Sequence, residues 1–313
     1  MGRYKEDDVI ANRKEFYVRT FSAGRYRKVV RYTRPLPGDS PTVRASKAMK
    51  TSAAARYINI ANCTERLLWL LCCNYDQKDA AFVTFTYRDD CLPASRSGVQ
   101  EDVKKLIRKS RPAFKRSALP FPVIYTVEGQ PSKVLPQADS AWETVPWKAR
   151  KKWDALEEDS EVPLVEDTVR LHAHAFLLLP DEEDRALIRS LWPHGKVHIN
   201  YIRVNDFTSF VRLAAYVTKE SRMGIRPVGE RSYIPSLGLI QPQVDGHWCG
   251  ENEGIAVPTS AEKVLRHGDN HDDVYGSHCE WVTYRFPRPN AAASKSYQPK
   301  GRISSNRKRG KSK

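Results

Sequence analysis

The sequence contains no apolar run long enough to cross a lipid bilayer. In the first half of the chain the longest such run extends from Leu67 to Cys73, far short of the roughly 20 residues that a membrane-spanning helix needs. The first residues, from Met1 to Ile10, are charged and lack the apolar core of a secretory signal. We therefore expect a cytoplasmic protein.

Cysteine is also scarce. The chain has six cysteines without a regular spacing, and Cys72 and Cys73 are adjacent within an apolar stretch. This pattern is typical of reduced core cysteines and argues against a disulfide framework. Four later residues could in principle bind zinc: His247, Cys249, His278 and Cys279. Because their spacing fits no standard zinc finger, we do not expect a zinc site.

Acidic residues are outnumbered by basic ones, 37 against 52, which gives a formal net charge of +15. A chain this basic usually binds a polyanion such as nucleic acid, although a basic protein without that role also fits the charge alone. Hydrophobic residues make up 40% of the chain, which is enough to build a core. The chain as a whole is therefore expected to fold.

Composition divides the chain into several regions. Residues 1–51 are rich in arginine, lysine and tyrosine and are interrupted by prolines, so we expect a basic N-terminal arm. Residues 52–225 have the pattern of one domain, with an insertion at residues 130–168 that carries three tryptophans. Residues 226–290 form a C-terminal extension whose role the sequence does not indicate. Residues 291–313 carry eight basic residues and no acid, which predicts a disordered tail that binds phosphates.

Within residues 52–225, hydrophobic spacing predicts strands and helices in alternation, with short connections. The predicted strands are Ala81 to Tyr87, Phe121 to Val127, Leu171 to Leu179, and Val197 to Val204. The predicted helices are Ser52 to Asp76, Val103 to Phe114, Asp181 to Leu191, and Phe207 to Arg222, the last with Asp206 as its N-cap. This order is typical of an α+β domain.

Two histidines, His172 and His174, are two residues apart in the third predicted strand and therefore project from the same face. They lie close enough to share one metal ion, although two partly buried histidines with ordinary hydrogen bonds would show the same spacing. If the preceding strand is a neighbour, Glu128 at its end can supply a third ligand. Two histidines, a carboxylate and open positions suit a catalytic Mn²⁺ or Mg²⁺ ion.

A second candidate group lies on the last predicted helix. Tyr216 and Lys219 are one turn apart and can act on the same phosphate, away from the apolar stripe of this helix. A tyrosine hydroxyl is a poor nucleophile at its usual pKa near 10, and a metal ion and a neighbouring ammonium group can compensate for this. A tyrosine that only borders the core is the alternative.

Taken in order, these motifs resemble the HUH endonuclease superfamily, above all the single-tyrosine replication initiators of small single-stranded DNA phages. The resemblance covers about residues 80–240 and includes a Phe82–Tyr87 strand, Glu128-Gly129, Arg170-x-His172-x-His174, Trp192-x-x-Gly195, Tyr216-x-x-Lys219 and Ser236-x-Gly238-Leu239. The sequence departs from the family pattern in having Ala173 between the histidines and a long segment at residues 130–168.

The resemblance implies a ferredoxin- or RRM-like core in which an antiparallel sheet with flanking helices presents His172, His174 and Glu128 to a divalent metal ion. It implies that Tyr216 attacks a DNA phosphate, assisted by Lys219, and forms a 5′-phosphotyrosine. The freed 3′-hydroxyl would then serve a host polymerase, with a helicase as a further partner, in the cytoplasm of a host cell. A non-catalytic single-stranded nucleic-acid-binding protein, and a transposase or relaxase of the same superfamily, remain alternatives.

Overall fold

The computed structural model describes residues 15–34, 53–114, 121–129, 170–203, 205–224, 226, 229–272 and 277–288. The strands are β1 (Glu15–Ala23), β2 (Tyr26–Arg34), β3 (Ala80–Phe85), β4 (Ile124–Glu128), β5 (His172–Leu178), β6 (Val197–Tyr201), β7 (Ile234–Pro235), β8 (Gln243–Cys249), β9 (Lys263–Asp272) and β10 (Ser277–Arg285). The helices are α1 (Ala53–Asn74), α2 (Arg96–Phe114), α3 (Glu182–Ser190), α4 (Phe207–Val217) and α5 (Lys219–Arg222). The predicted insertion at 130–168 and the predicted tail at 291–313 lie outside the described residues.

The strands form two five-stranded sheets in which every pairing is antiparallel. We call the sheet with the order β6-β3-β5-β4-β7 the histidine sheet, because β5 carries His172 and His174. The other sheet, with the order β8-β1-β2-β10-β9, is called the terminal sheet. The prediction of an α+β fold built on an antiparallel sheet with flanking helices is therefore confirmed.

The histidine sheet has a core on each of its two faces. Alternate residues of β5, including Ala173 and Ala175, point to one face and pack with residues of α2 and α3 such as Val103 and Ile188. Phe176 points to the other face and joins a second core with the apolar sides of α1 and α4. Helices on both sides therefore hold the middle strands rigidly in place.

Helix α4 begins as the sequence predicts but ends earlier than predicted. Asp206 caps its N-terminus by accepting a hydrogen bond from the backbone N–H of Ser209 at 3.2 Å, as the sequence predicts. The predicted single helix from Phe207 to Arg222 is instead interrupted at Thr218, whose hydroxyl donates to the carbonyl of Ala214 at 2.9 Å. A short helix, α5, continues after this break.

The expectation of a basic arm at residues 1–51 is wrong for residues 15–34, which form the β1–β2 hairpin. Gly24 makes the turn with a φ of +57°, a conformation that glycine adopts without steric cost. The hairpin pairs with β8 and β10, so residues 226–290 complete a sheet whose first strands come from the opposite end of the chain. The basic residues hid this strand pattern, because arginine and lysine occupy positions on both faces of the hairpin.

The hairpin turn joins the terminal sheet to the rest of the fold. Ala23 and Tyr26 are fully buried in the core that α1 and α4 share, and Arg25 makes an ion pair with Asp76 at 2.6 Å. The opposite face of the terminal sheet has a smaller core around Val18, together with residues of the other strands. In the described part of the chain, no helix has the length and apolar character that crossing a bilayer requires.

Candidate active site

The register between β4 and β5 brings the predicted metal ligands together. Glu128 lies directly opposite His172, and Thr126 lies opposite His174, on neighbouring antiparallel strands. Strands β4 and β5 are therefore neighbours, which is the condition under which Glu128 was predicted to be a third ligand. Since side chains two residues apart share a face of the sheet, Glu128, His172 and His174 all project to the same side.

The distances within this group fit a shared cation. The Nε2 atoms of His172 and His174 lie 3.0 Å apart, and Oε2 of Glu128 lies 3.5 Å and 3.4 Å from them. Among the described residues, this is the cluster of histidine, cysteine and acidic side chains that could hold a metal ion, with all ligand atoms within 4.8 Å of one another.

Hydrogen bonds orient both imidazole rings. Nδ1 of His172 lies 2.8 Å from the carbonyl oxygen of Arg170, and Nδ1 of His174 lies 2.9 Å from the hydroxyl oxygen of Thr84. Since a carbonyl only accepts, Nδ1 of His172 carries a proton, and in the neutral ring the lone pair then lies on Nε2. Metal-binding histidines are usually held in this way, with the distal nitrogen donating to an oxygen.

Glu128 is a buried carboxylate at the centre of this group. It is 1% exposed, and its polar neighbours are the ammonium of Lys219, 2.9 Å from Oε2, and the Nε2 atoms of His172 and His174. Burial alone would raise its pKa, but hydrogen bonds with His172 and His174 and the charge of Lys219 outweigh burial and hold the pKa below its ordinary value. Burial lowers the pKa of His174, which favours the neutral, metal-binding form of this ring.

Tyr216 reaches this group from α4. Its hydroxyl lies 3.4 Å from Nε2 of His174, and its side chain is 36% exposed, so a substrate can approach it. The ring of Phe82 stacks on the ring of His174 with centroids 4.8 Å apart and meets the ring of Tyr216 edge-on at 6.0 Å. An aromatic side chain of β3 therefore supports both residues from below.

Lys219 completes the group from the first turn of α5. Its Nζ lies 2.9 Å from Oε2 of Glu128 and 3.6 Å from the centroid of the Tyr216 ring. Burial and the negative charge of Glu128 raise the pKa of Tyr216, and the positive charge of Lys219 opposes this rise. The tyrosine is therefore protonated at neutral pH, and added positive charge at the site would favour its ionisation.

A buried ionic network that the sequence analysis missed fixes this geometry. Glu220 accepts a hydrogen bond from the backbone N–H of Gly129 at 2.8 Å. The same carboxylate makes ion pairs with Arg96 at 2.9 Å and Arg226 at 3.0 Å. Because Glu220 follows Lys219 and Gly129 follows Glu128, the network ties α5 to the end of β4. The only signal in the sequence was an acid on the same side of the helix as Tyr216.

Two other motifs of the resemblance have structural positions. The indole Nε1 of Trp192 donates to the carbonyl of Thr86 at 2.9 Å, and a Cβ at Gly195 would lie 2.3 Å from that same oxygen. This turn therefore packs closely against the end of β3. Ser236 accepts a hydrogen bond from the backbone N–H of Val123 at 3.0 Å, next to the pairing of β7 with β4.

The four residues considered for zinc do not come together. His247 and Cys249 lie on β8, while His278 and Cys279 lie on β10, and β1 and β2 separate these strands in the terminal sheet.

Comparison of the chain with protein-family models, with curated proteins and with solved structures finds no match. The assignment of chemistry therefore depends on the geometry of the site itself.

Proposed function

We propose that this chain is a metal-dependent, site-specific DNA endonuclease and strand transferase of the HUH type that initiates rolling-circle replication. One observation carries the proposal. Around Glu128, two imidazole nitrogens, a tyrosine hydroxyl and a lysine ammonium converge on one face of the histidine sheet. An amphipathic helix that merely bordered the core would not need this convergence.

The ligand set fits a divalent cation. Two neutral imidazoles and one carboxylate, with positions left for substrate oxygen and water, suit Mn²⁺, and Mg²⁺ is the alternative. The carboxylate of Glu128 is buried and its Oε2 faces the Nε2 atoms of His172 and His174 at 3.5 Å and 3.4 Å, so one cation can contact all three groups. Such an ion, when bound, withdraws charge from a DNA phosphate and orients it for attack.

The nucleophile and the leaving group can be assigned. The phenolic oxygen of Tyr216 forms a bond to the phosphorus, and the bond from the phosphorus to the 3′ oxygen breaks. The phenol proton passes to solvent and the 3′ oxygen takes up a proton, so the products are a 5′-phosphotyrosine and a free 3′-hydroxyl. The ester energy is retained in the phosphotyrosine, so attack by a 3′-hydroxyl can reverse the step and rejoin the ends.

Lys219 adds positive charge where negative charge develops. Its ammonium lies against the Tyr216 ring and next to Glu128, so it can stabilise both the ionising phenol and the phosphate oxygens. Single-stranded or origin DNA is the substrate in this proposal. The 3′-hydroxyl would serve a host polymerase, with a helicase opening the duplex, in the cytoplasm of the host cell.

The test is to incubate the chain with circular single-stranded DNA and Mn²⁺ and to look for a covalent protein–DNA adduct. Mass spectrometry should place the adduct on Tyr216, and the Tyr216→Phe variant should form none. A matched control is Tyr201→Phe, since Tyr201 is another exposed tyrosine, on β6. DNA binding without any adduct would instead favour a non-catalytic nucleic-acid-binding protein.

A further inference from the structure

The two faces of the terminal sheet differ in what covers them. On one face, Val18, Val29, Val282 and Tyr284 form a small core beneath Ile255 and neighbouring residues. The other face contacts α1 near the hairpin turn, where the ring of Phe21 stacks on Trp69 at 6.5 Å and Lys28 pairs with Glu65. Further along the strands, away from the turn, this second face carries aromatic side chains.

There the cross-strand register brings aromatic residues into adjacent rows. One row contains Arg19, Val30 and Trp281, and the next contains Trp248, Tyr17 and Tyr32. We call the following set the aromatic platform: Tyr17, Arg19, Tyr32, Trp248 and Trp281. The rings of Tyr17 and Trp248 have centroids 5.0 Å apart, and those of Tyr17 and Tyr32 are 6.0 Å apart. The platform is therefore continuous across at least three strands.

Two glycines let the rings lie across the neighbouring strands. A Cβ at Gly246 would be 2.5 Å from the hydroxyl oxygen of Tyr17, and a Cβ at Gly268 would be 2.9 Å from a ring atom of Trp281. Real atoms cannot approach so closely, so only glycine allows these ring positions. Trp248, at the edge of the platform, is 38% exposed.

The two faces of the terminal sheet differ in the charged residues that they carry. Arg19 is exposed and lies beside the platform rings, with its guanidinium 4.8 Å from the Phe21 centroid. Three acids of the same strands, Asp245, Asp269 and Glu280, alternate onto the opposite face by their register. In a chain with a net charge of +15, the platform thus combines aromatic rings with a basic group and excludes acids in its described rows.

We propose that the aromatic platform is a second binding surface for single-stranded DNA, separate from the Tyr216 site. Unpaired bases stack on Tyr32, Trp281 and their neighbours, and Arg19 contacts the phosphates. Aromatic surfaces with nearby cations bind single strands in this way without needing a particular base sequence. The choice of DNA over RNA rests on the proposed nicking function. The proposal that bases stack on the aromatic platform does not depend on that function. Such a surface would hold the strand while the reactive site acts on it.

The test measures the affinity of labelled oligothymidine and of an abasic oligonucleotide of the same length, which has phosphates but no bases. All chains carry Tyr216→Phe and are kept in EDTA, so that no cleavage intervenes. In the double variant Tyr32→Ala/Trp281→Ala, affinity for oligothymidine should fall about tenfold or more, since each stacked base contributes roughly 1–3 kcal/mol. Affinity for the abasic strand should hardly change. Tyr201→Ala, which removes an exposed tyrosine from the histidine sheet, is the matched control.

Unchanged oligothymidine affinity in the double variant overturns the proposal, and so does an equal loss for both strands, because stacking requires bases. If circular dichroism shows that the variant does not fold, photocrosslinking of the Tyr216→Phe chain with 5-iodouracil DNA decides. Crosslinks in peptides of β1, β2, β8 or β10 support the platform, and crosslinks confined to the histidine sheet overturn it. These readouts do not depend on nicking, so the platform and the proposed nicking function can fail separately.

Discussion

The histidine sheet and the terminal sheet are both five-stranded and antiparallel, yet they are packed very differently. Every residue of β4 is buried, whereas every residue of β8 from Gln243 to Trp248 is exposed. Helices cover both faces of the histidine sheet, and the ligand atoms of Glu128, His172 and His174 lie within 4.8 Å of one another. Among the described residues, by contrast, the terminal sheet leaves β8 exposed along most of its length. Catalysis requires the first arrangement, and contact with an extended polymer requires the second.

The sharpest way to test this division is to remove the proposed nucleophile, which α4 holds beside the histidine sheet. Tyr216→Phe deletes one hydroxyl and leaves the ring contacts with Phe82 and Lys219 in place. Adduct formation should be abolished, a loss of roughly 10⁴-fold or more by analogy with other nucleophile deletions. Affinity for single-stranded DNA, measured by fluorescence anisotropy, should stay within about twofold of the unaltered chain. An adduct on another tyrosine would contradict the assignment.

Removing a proposed metal ligand should have the next largest effect. His174→Ala and Glu128→Ala should each slow nicking by more than about 100-fold, and EDTA should do the same to the unaltered chain. Thr84→Val provides a graded comparison, because Thr84 only orients His174 through the 2.9 Å hydrogen bond. Removing a partner that orients a metal ligand typically costs roughly 10–100-fold in metal affinity or activity. Rates that persist in excess EDTA would exclude a metal mechanism.

The ionic network beneath the site predicts a smaller, mixed effect. Glu220→Gln leaves Arg96 and Arg226 with less negative charge, so the free energy of unfolding should fall by about 3 kcal/mol. Because Glu220 also positions Lys219, nicking by the folded protein at saturating DNA should slow by about tenfold. Glu230→Gln is the matched control, since Glu230 pairs with the same two arginines without contacting Gly129.

For these two variants, equal rates per folded molecule would show that Glu220 stabilises the fold and does not position the site. Folded fractions are read from circular dichroism at the assay temperature, and the rates are compared as kcat. A rise in KM alone would also contradict a positioning role, because positioning acts on the chemical step.

Sequence reasoning predicted the histidine sheet well and the terminal sheet not at all. In β5, His172 and His174 alternate strictly with Ala173 and Ala175, so the two histidines share one face of the strand and the two alanines share the other. In β1 and β2, arginines and aromatics occupy both faces, so the strand pattern resembled a basic arm. The register between β1 and β8 joins residues more than 200 positions apart, and no local pattern encodes that pairing.

Within the site, too, local sequence patterns did not reveal which distant segments pair. Glu128 was predicted as a ligand only on the condition that β4 and β5 are neighbours, which the register confirms. Glu220 was missed because Arg96 comes from a distant part of the chain and Arg226 lies beyond the end of α5. Local spacing reveals which side chains share one strand or one helix face. Ion pairs that bring distant segments together require the fold.

Damage to the terminal sheet should lower stability and leave the chemistry intact. Val29→Ala removes two methyl groups from the small core that Val29 shares with Val18 and Val282, so the free energy of unfolding should fall by about 2 kcal/mol. The nicking rate per folded molecule should not change. Urea unfolding followed by circular dichroism measures the first quantity. A loss of nicking in the folded variant would show that the two sheets are coupled.

The smallest effect on the nicking rate is expected from removing residues 291–313, which carry eight basic residues and no acid. Their contribution to DNA binding should be electrostatic, because lysine and arginine release counterions from phosphates irrespective of base sequence. Each lost phosphate contact should flatten the plot of log affinity against log salt by roughly 0.7 for single strands, so a change of about two to four is expected. Single-turnover nicking at saturating DNA should match that of the full chain. An unchanged salt slope would mean that this segment does not contact DNA, and a slower rate at saturation would assign it to the reactive site together with the histidine sheet.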